Sequence, residues 1–366
     1  MANVIGLITT NYSTKKACVL AEERPVASLP YAGRYRIMDF ALSNMVNCGI
    51  RTVGVVLPYN YRSVIDHISS GKDWMLDRKN GGLFVLPGSA FGTSRAGSRF
   101  LVRDLESNRV FLERSHADYV VCSGANFAFN MDLSLVVDEH IRSGVDITVL
   151  TNSATESDAD VVGFNVDEST GNITGINHGV SFGDMAFLDT FVIGRELLLT
   201  LLDWYSSVDY LDLFEALEND YGRVTVREYR FNGYAAPVFN TEAYFRRNMD
   251  LLNPEIADQL FPEERTVKTK AHDTPPAKYE RGCYVRNAIV SAGCRIMGSV
   301  ADSLLGRNVI VESGATVRNA IVLQDCVIKS GARVENAIVD RANCIPAGTE
   351  LRGTPENVYY QSKGQR

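Results

Sequence analysis

A tetrapeptide that recurs near the C-terminus constrains the fold more than any other feature of this sequence. NAIV occurs at 287–290, 319–322 and 336–339, and the related DSLL occurs at 302–305. Glycines at 298, 314, 331 and 348 keep nearly the same spacing. A period of about 18 residues, with aliphatic residues between small turn residues, is typical of a parallel β-helix. The repeats therefore predict coils of three short strands, with Val, Ile and Leu stacked inward and Cys294, Cys326 and Cys344 as small inward fillers.

Two roles are open to such a β-helix, and the histidines separate them. Hexapeptide-repeat acyltransferases need a histidine as general base, but all five histidines precede residue 283, at positions 67, 116, 140, 178 and 272. Acyl transfer is therefore disfavoured. A short β-helix leaves an open strand edge at each end, which another chain or subunit has to cover. We expect it to act as a spacer and an assembly surface.

The first 252 residues follow a different pattern, in which short apolar runs alternate with helical stretches. The candidate strands are 4–9, 51–58, 117–124, 146–151 and 223–230. Such alternation predicts a Rossmann-like α/β domain with a mostly parallel sheet over residues 1–252. Ligands of these sheets bind at the carboxyl ends of the strands, here the loops after 9, 58 and 124. A proline-rich linker is predicted at 253–282, the β-helix at 283–353 and a tail at 354–366.

Composition excludes several classes of function. The net charge is −7 at pH 7, which argues against nucleic acid as a main partner. No apolar run is long enough to cross a bilayer and no signal peptide is visible, so we expect a cytoplasmic protein without a membrane partner. The seven cysteines form no CxxC pair, and an odd number disfavours a disulfide framework or zinc site.

Four stretches carry a family resemblance: LPYAGRYRIMDFALSNMVNCGI at 29–50, GKDWMLDRKNGGLFVLP at 71–87, NTEAYFRRNMDLL at 240–252 and TPPAKY at 274–279. They resemble glucose-1-phosphate adenylyltransferase, also called ADP-glucose pyrophosphorylase. The resemblance implies a Rossmann-like nucleotidyltransferase domain followed by a left-handed parallel β-helix of hexapeptide repeats. It also implies the family reaction, in which ATP and glucose 1-phosphate give ADP-glucose and pyrophosphate for glycogen synthesis.

The sequence departs from this family where the chemistry takes place. The Gly-rich phosphate loop after the first strand is replaced by TTNYSTKK, and the family's lysine before its Pro-Phe-Gly-Gly segment corresponds to Val26. The two aspartates that bind Mg²⁺ correspond to Ala125 and Pro237, neither of which offers a side-chain oxygen. A nucleotide-contacting segment is replaced around FLVRDL at 100–105, and the lysine that binds the sugar phosphate falls at about His178.

This set of losses resembles the GlgD-type, non-catalytic branch of the family. It implies a regulatory or scaffolding subunit that has little or no activity alone and binds no cofactor or metal of its own. Mg²⁺ and ATP would be bound by a catalytic partner subunit, with which the chain would form a heterotetramer. Assembly with itself stays open. Two alternatives also remain, namely a divergent active nucleotidyltransferase and a stand-alone sensor of sugar phosphates or nucleotides.

One group of basic residues is a candidate effector site. Arg24, Arg34 and Arg36 lie in the segment that contributes to binding anionic sugar-phosphate effectors in the catalytic relatives. The competing interpretation is that Arg36 pairs with Asp39 and that the other two arginines are solvated.

Overall fold

The computed structural model describes residues 3–10, 18–58, 60–88, 99–218 and 220–364. These residues divide into two compact units, each of which is formed by more than one segment. The α/β unit comprises Met1–Ser28, Ile37–Phe239 and Leu260–Lys268. The β-helix unit comprises Leu29–Arg36, Asn240–Gln259 and Thr269–Arg366.

The first 260 residues contain thirteen strands and nine α-helices among the described residues. The strands are β1 (Val4–Thr9), β2 (Pro30–Tyr31), β3 (Tyr35–Arg36), β4 (Thr52–Leu57), β5 (Gly82–Pro87), β6 (Tyr119–Gly124), β7 (Phe127–Phe129), β8 (Ile147–Ser153), β9 (Asp158–Val166), β10 (Ile173–Val180), β11 (Met185–Gly194), β12 (Val226–Arg230) and β13 (Ala235–Pro237). The helices are α1 (Ile37–Asn47), α2 (Arg62–Ile68), α3 (Val102–Ser107), α4 (Arg109–Glu113), α5 (Ser134–Ser143), α6 (Arg195–Trp204), α7 (Leu213–Ala216), α8 (Thr241–Met249) and α9 (Pro254–Leu260).

The α/β unit is organised around one sheet with the strand order β10-β9-β11-β6-β1-β4-β5, in which β8 also pairs with β11 and β12 with β8. The neighbours from β6 to β5 run parallel, and β11 is antiparallel to β6. Alternate residues of β1 enter different apolar clusters, Ile5 and Leu7 in one and Ile8 in the other. Because successive side chains of a strand point to opposite faces, the sheet has a core on each face.

The predicted α/β class is confirmed, and each of the five candidate strands overlaps an observed strand. The sequence did not indicate the antiparallel strands β9, β10 and β11, which extend the sheet beyond its parallel part. The helical stretch after residue 100 is divided at Asn108, whose side-chain amide donates to the carbonyl oxygens of Asp104 and Pro87, each at 2.7 Å. Such side-chain bonds to the backbone compete with a continuous helix.

A short hairpin from the N-terminal part of the chain belongs to the β-helix unit. Strands β2 and β3 pair there, and the Tyr31 hydroxyl donates to the carbonyl oxygen of Arg247 at 2.7 Å. The Tyr244 hydroxyl of α8 donates in return to the carbonyl oxygen of Pro30 at 2.6 Å. These long-range bonds connect the hairpin to α8.

The C-terminal repeats form two parallel ladders. The longer strands are β15 (Tyr284–Val290), β17 (Ser299–Leu305), β19 (Thr316–Val322), β21 (Arg333–Val339) and β23 (Glu350–Arg352), and β24 (Tyr359–Gln361) also pairs with β21. The second ladder contains β14 (Lys278–Tyr279), β16 (Arg295–Ile296), β18 (Ile310–Val311), β20 (Val327–Ile328) and β22 (Cys344–Ile345). The predicted β-helix is confirmed.

Four of the longer strands, β15, β17, β19 and β21, turn a corner at the first residue of the tetrapeptide repeat. Asn287, Asp302, Asn319 and Asn336 all have positive φ, between 44° and 48°. Asn and Asp tolerate this left-handed conformation better than most residues, which explains why the repeat begins with them. Cys294 and Cys326 fill the interior as predicted, but Cys344 is exposed, so its predicted inward position is wrong.

The segment 253–282, predicted as a linker, contains helix α9 and a 3-10 helix at Glu263–Arg265. Its residues 260–268 pack within the α/β unit and the others within the β-helix unit. No helix among the described residues combines the length and apolarity that a membrane span requires.

Candidate functional site

The predicted ligand site lies where three parallel strands of the α/β unit end. Thr9, the last residue of β1, is in register with Val56 of β4 and with Gly124, the last residue of β6. The next residue, Thr10, donates its hydroxyl to the carbonyl oxygen of Val56 at 2.6 Å. Most of TTNYSTKK, the stretch that replaces the phosphate loop, lies outside the described residues.

The two positions that correspond to the family's metal ligands are brought close together at this edge. The Ala125 amide donates to the carbonyl oxygen of Thr9 at 3.0 Å. Pro237 in β13 is in register with Phe127 in β7, two residues after Ala125. The Val238 amide also donates to the carbonyl oxygen of Asn126 at 2.9 Å. The tertiary fold therefore places Ala125 and Pro237 as neighbours.

The residues at these positions do not fit Mg²⁺. A hard divalent cation requires oxygen ligands, and alanine and proline have no side-chain oxygen. Ala125 is 3% exposed and packs in one of the two apolar clusters. In the part of the chain that the structure describes, no three His, Cys, Asp or Glu side chains are grouped as metal ligands would be.

A buried ion pair lies beside these positions, and the sequence reasoning missed it. Arg99 Nε donates to Asp189 Oδ2 at 2.9 Å, and Asn126 Nδ2 donates to the same oxygen at 2.5 Å. Both side chains of the ion pair are buried, that of Asp189 completely. The guanidinium of Arg99 also donates to the carbonyl oxygen of Asp160 at 2.6 Å and lies 5.3 Å from the ring centre of Phe239.

A second buried carboxylate fixes the backbone next to this pair. Asp212 Oδ2 accepts from the amides of Arg99 and Phe100, and its Oδ1 accepts from the amide of Phe214. Burial raises the pKa of both Asp189 and Asp212, while the nearby guanidinium and the hydrogen bonds oppose that rise. One signal for this network was present in the sequence, since Asp189 is the single ionisable residue in the strand MAFLDTFVIG.

Two other degenerate positions lack the lysine that the resemblance assigns to catalytic members. Val26 is 1% exposed in the 3-10 helix Val26–Ser28. His178 lies on β10 opposite Val162, and its side chain is 68% exposed. Its Nε2 is 3.9 Å from Glu215 Oε1, so a carboxylate lies near this histidine.

The three candidate effector arginines are distributed over both units. Arg24 belongs to the α/β unit, is 6% exposed and donates from Nε to the carbonyl oxygen of Leu20 at 3.1 Å. Arg34 and Arg36 flank Tyr35 in the β-helix unit, where Arg34 is exposed and its guanidinium lies 4.9 Å from the Tyr35 ring centre. An effector site made of all three stays a prediction.

Two family models match this chain, one in each part. A nucleotidyl transferase model matches residues 19–177, and a model described as GlmU-like, C-terminal hexapeptide matches residues 275–357. Together they agree with the observed α/β unit and β-helix.

Curated relatives match over much longer stretches. The glycogen biosynthesis protein GlgD of Bacillus subtilis (strain 168) is 31% identical over 371 residues, which cover 100% of this chain and 96% of the relative. The GlgD protein of Geobacillus stearothermophilus is 32% identical over 317 residues. The matched region covers 86% of this chain and 82% of that relative. The glucose-1-phosphate adenylyltransferase of Fervidobacterium nodosum is 28% identical over 340 residues. The matched region covers 88% of this chain and 79% of that relative.

Proposed function

The chain belongs to the family of the glycogen biosynthesis protein GlgD and glucose-1-phosphate adenylyltransferase, and from this we propose that it is a non-catalytic, regulatory subunit. It acts in the cytoplasm beside a catalytic subunit that joins ATP and glucose 1-phosphate. One observation carries the proposal. Ala125 and Pro237 are neighbours at the end of β6, and neither can ligate a divalent cation.

The first test is the activity of the purified chain alone. We expect negligible ADP-glucose synthesis with ATP, glucose 1-phosphate and Mg²⁺. Loss of one preorganised electrostatic contact typically costs about 10² to 10³ in rate, and here several are lost together. Turnover of a contaminant-free sample at about 1 to 10³ per second, the usual range of enzymes, contradicts the proposal.

The divergent-enzyme alternative is tested by restoring one ligand. Ala125→Asp places a carboxylate at a position that is 3% exposed and surrounded by apolar side chains. We expect no gain of activity, because residues that act as a unit are strongly non-additive. We also expect lower thermal stability, because a buried charge needs a partner. Measurable ADP-glucose synthesis by this single variant favours the alternative.

The partner is tested by co-expression with the catalytic homologue of the same organism. We expect the two chains to co-elute as a heterotetramer, because a subunit that retains the family's surfaces can replace another in a closed assembly. Among the described residues β5 is the last strand of its sheet, and the exposure of its Phe84 and Val85, 42% and 49%, supports an assembly role. Separate elution with unchanged kinetics of the catalytic subunit contradicts this part of the proposal.

An anionic effector is the remaining part of the proposed regulation. Among the three candidate arginines Arg34 is the exposed one, so Arg34→Ala in the mixed complex is the informative variant. We expect a weaker response to sugar phosphates, with basal kinetics of the catalytic subunit unchanged. Arg318→Ala, which also removes an exposed arginine of the β-helix unit, is the matched control.

A further inference from the structure

The carboxylate of Asp189 lies at the ligand edge of the α/β unit, the edge of the sheet where β1, β4 and β6 end. Strand β11 is antiparallel to β6, and its Thr190 is in register with Ser123. The preceding residue, Asp189, is therefore opposite Gly124, the last residue of β6. Sheets of this kind bind their ligands at the carboxyl ends of parallel strands. A charged residue of the chain itself thus lies where a ligand is expected.

The ion pair of this aspartate contacts both segments that contain the degenerate metal positions. Asp189 Oδ2 accepts from Nδ2 of Asn126, the residue after the first of these positions, at 2.5 Å. It also accepts from Arg99 Nε at 2.9 Å. The guanidinium of Arg99 lies 5.3 Å from the ring centre of Phe239, two residues after the second position. The pair therefore joins the two segments at the end of β6.

These side chains leave no free space at the end of β6. A β carbon added to Gly124 would lie 2.6 Å from Asn126 Oδ1 and 2.9 Å from the β carbon of Asp189, closer than van der Waals contact allows. Arg99 is 7% exposed and Asn126 is 1% exposed. Asn126 Oδ1 and Asp189 Oδ1 are both inaccessible to solvent. A site without room for a methyl group has no room for a phosphate.

The stability of the fold alone does not explain this arrangement. Asp189 has a φ of 45°, a left-handed conformation that is uncommon for residues other than glycine. Such strain persists only where the surroundings impose it, and it is concentrated at functional sites. Apolar side chains of similar volume often stabilise a protein as well as a buried ion pair does, or better. A strained, ion-paired aspartate at the ligand edge therefore indicates a role beyond packing.

We propose that Arg99 and Asp189 close the ligand edge from within and exclude nucleotides, sugar phosphates and Mg²⁺ from the end of β6. The guanidinium and the carboxylate occupy the region where, by the family resemblance, a metal ion and phosphates would bind. An effector of this chain would then bind outside the ligand edge. The inference rests on the proposed function in one respect, since it treats this edge as a former substrate site.

Thiol alkylation at the first degenerate position tests the closure. Ala125→Cys places a thiol at a position that is 3% exposed, and iodoacetamide is smaller than a nucleotide or a sugar phosphate. Initial rates are measured by peptide mass spectrometry, with the exposed Cys344 as internal reference. We expect position 125 to react at least about 100-fold more slowly than Cys344, as for an open state populated to about 1% or less. A smaller difference overturns the proposal.

A triple variant tests whether the ion pair is what closes the edge. Arg99→Ala and Asp189→Gly, combined with Ala125→Cys, remove both charges, and glycine adopts the positive φ readily. We expect alkylation at position 125 to rise at least tenfold, which corresponds to about 1.4 kcal/mol. Cys122, which is buried in β6, should stay unreactive and so report that the unit remains folded. Unchanged protection of position 125 in the folded variant overturns the proposal.

A milder variant and a control complete the experiment. If Cys122 becomes reactive, Asp189→Asn replaces Asp189→Gly, because it removes the charge and keeps the shape of the side chain. Arg103→Ala with Asp209→Ala removes a more exposed ion pair of the same unit and should leave the rate at position 125 unchanged. Rapid alkylation of a chain that has no turnover overturns the closure and leaves the regulatory role intact. Turnover of the chain alone contradicts the regulatory role instead.

Discussion

The two units of this protein use ionisable side chains in opposite ways. The α/β unit buries several of them, including Arg99, Asp189, Asp212 and His140. The β-helix unit has a core of Val, Ile, Leu, Ala and Cys, and among its described residues Asp340 is the one carboxylate that is buried. Substitutions that remove a charge, and changes of pH, should therefore lower the stability of the α/β unit more than that of the β-helix unit.

The β-helix unit instead depends on backbone conformation at its corners. Asn319 Nδ2 donates to Asn336 Oδ1 at 2.6 Å, and Asn336 Nδ2 donates to the carbonyl oxygen of Gly353 at 3.2 Å. The ladder repeats one coil above the next because each corner residue has the same positive φ. Changes at these corners should act on the β-helix and leave the α/β unit intact.

Tryptophan fluorescence distinguishes unfolding of the α/β unit from unfolding of the β-helix unit. The chain has two tryptophans, Trp74 and Trp204, and both belong to the α/β unit. Their emission follows that unit alone, whereas far-UV circular dichroism follows both. A protein with two units need not unfold in one step, so the two signals should be recorded together.

The largest expected effect is that of Arg99→Met. This change leaves Asp189 buried without its guanidinium, and breaking a buried pair in this way costs about 3 to 5 kcal/mol of unfolding free energy. The loss should be seen in urea titrations followed by tryptophan emission. A second change, Asp189→Asn, should recover part of that loss because it removes the unpaired charge.

The matched control is Arg103→Met, which breaks the pair of Arg103 with Asp209 on the surface of the same unit. Water screens this pair, so we expect its loss to have little effect on the unfolding midpoint. If Arg103→Met and Arg99→Met destabilise equally, burial of the Arg99 pair is not what stabilises the α/β unit.

A smaller effect is expected at a corner of the β-helix. Asn319→Ala places alanine at φ 44° and removes the bond to Asn336, and such backbone strain costs about 1 to 3 kcal/mol. The loss should appear in circular dichroism and not in tryptophan emission. Asn319→Gly, which keeps the left-handed conformation accessible, should be milder. A loss seen equally in both signals would show that the units do not respond separately.

The smallest expected effect is a pH dependence of the α/β unit. Burial lowers the pKa of His140 to about 4, so the unfolded state binds a proton at a pH where the folded state does not. The stabilisation of the folded state that comes from neutral His140 is fully present above pH 6.5 and is lost as the pH falls towards 4. Between pH 7 and 5.5 we expect a loss on the order of 1 kcal/mol, because the unfolded state takes up most of one proton over this range.

His140→Gln should remove that part of the pH dependence in tryptophan-detected unfolding. His178→Gln, at a histidine whose side chain is 68% exposed, is the control and should behave like the unchanged protein. An identical pH profile for His140→Gln would contradict the assignment to His140. The β-helix unit should contribute little to this pH dependence, because its one histidine, His272, is exposed and precedes the repeats.

Much of this architecture could be predicted from local patterns. The repeats predicted the β-helix, because each coil buries the same kinds of side chain. The apolar periodicity of the first 252 residues located β1, β4, β6, β8 and β12. The degenerate positions Ala125 and Pro237 were also visible, because a missing side-chain oxygen is a property of one residue. Cys344 was misplaced because it begins β22, in which Ile345 takes the inward position and the side chain before it points the other way.

The sequence by itself determined the two unit types and the absence of metal-ligating side chains at Ala125 and Pro237. Only the tertiary structure decided that these positions are neighbours, that Arg99 pairs with Asp189, and that Asn126 donates to the same carboxylate. The two side chains that meet at Asp189 come from positions 63 and 90 residues away. Local periodicity carries no information over such distances, whereas sheet pairing and burial of the core bring the segments together.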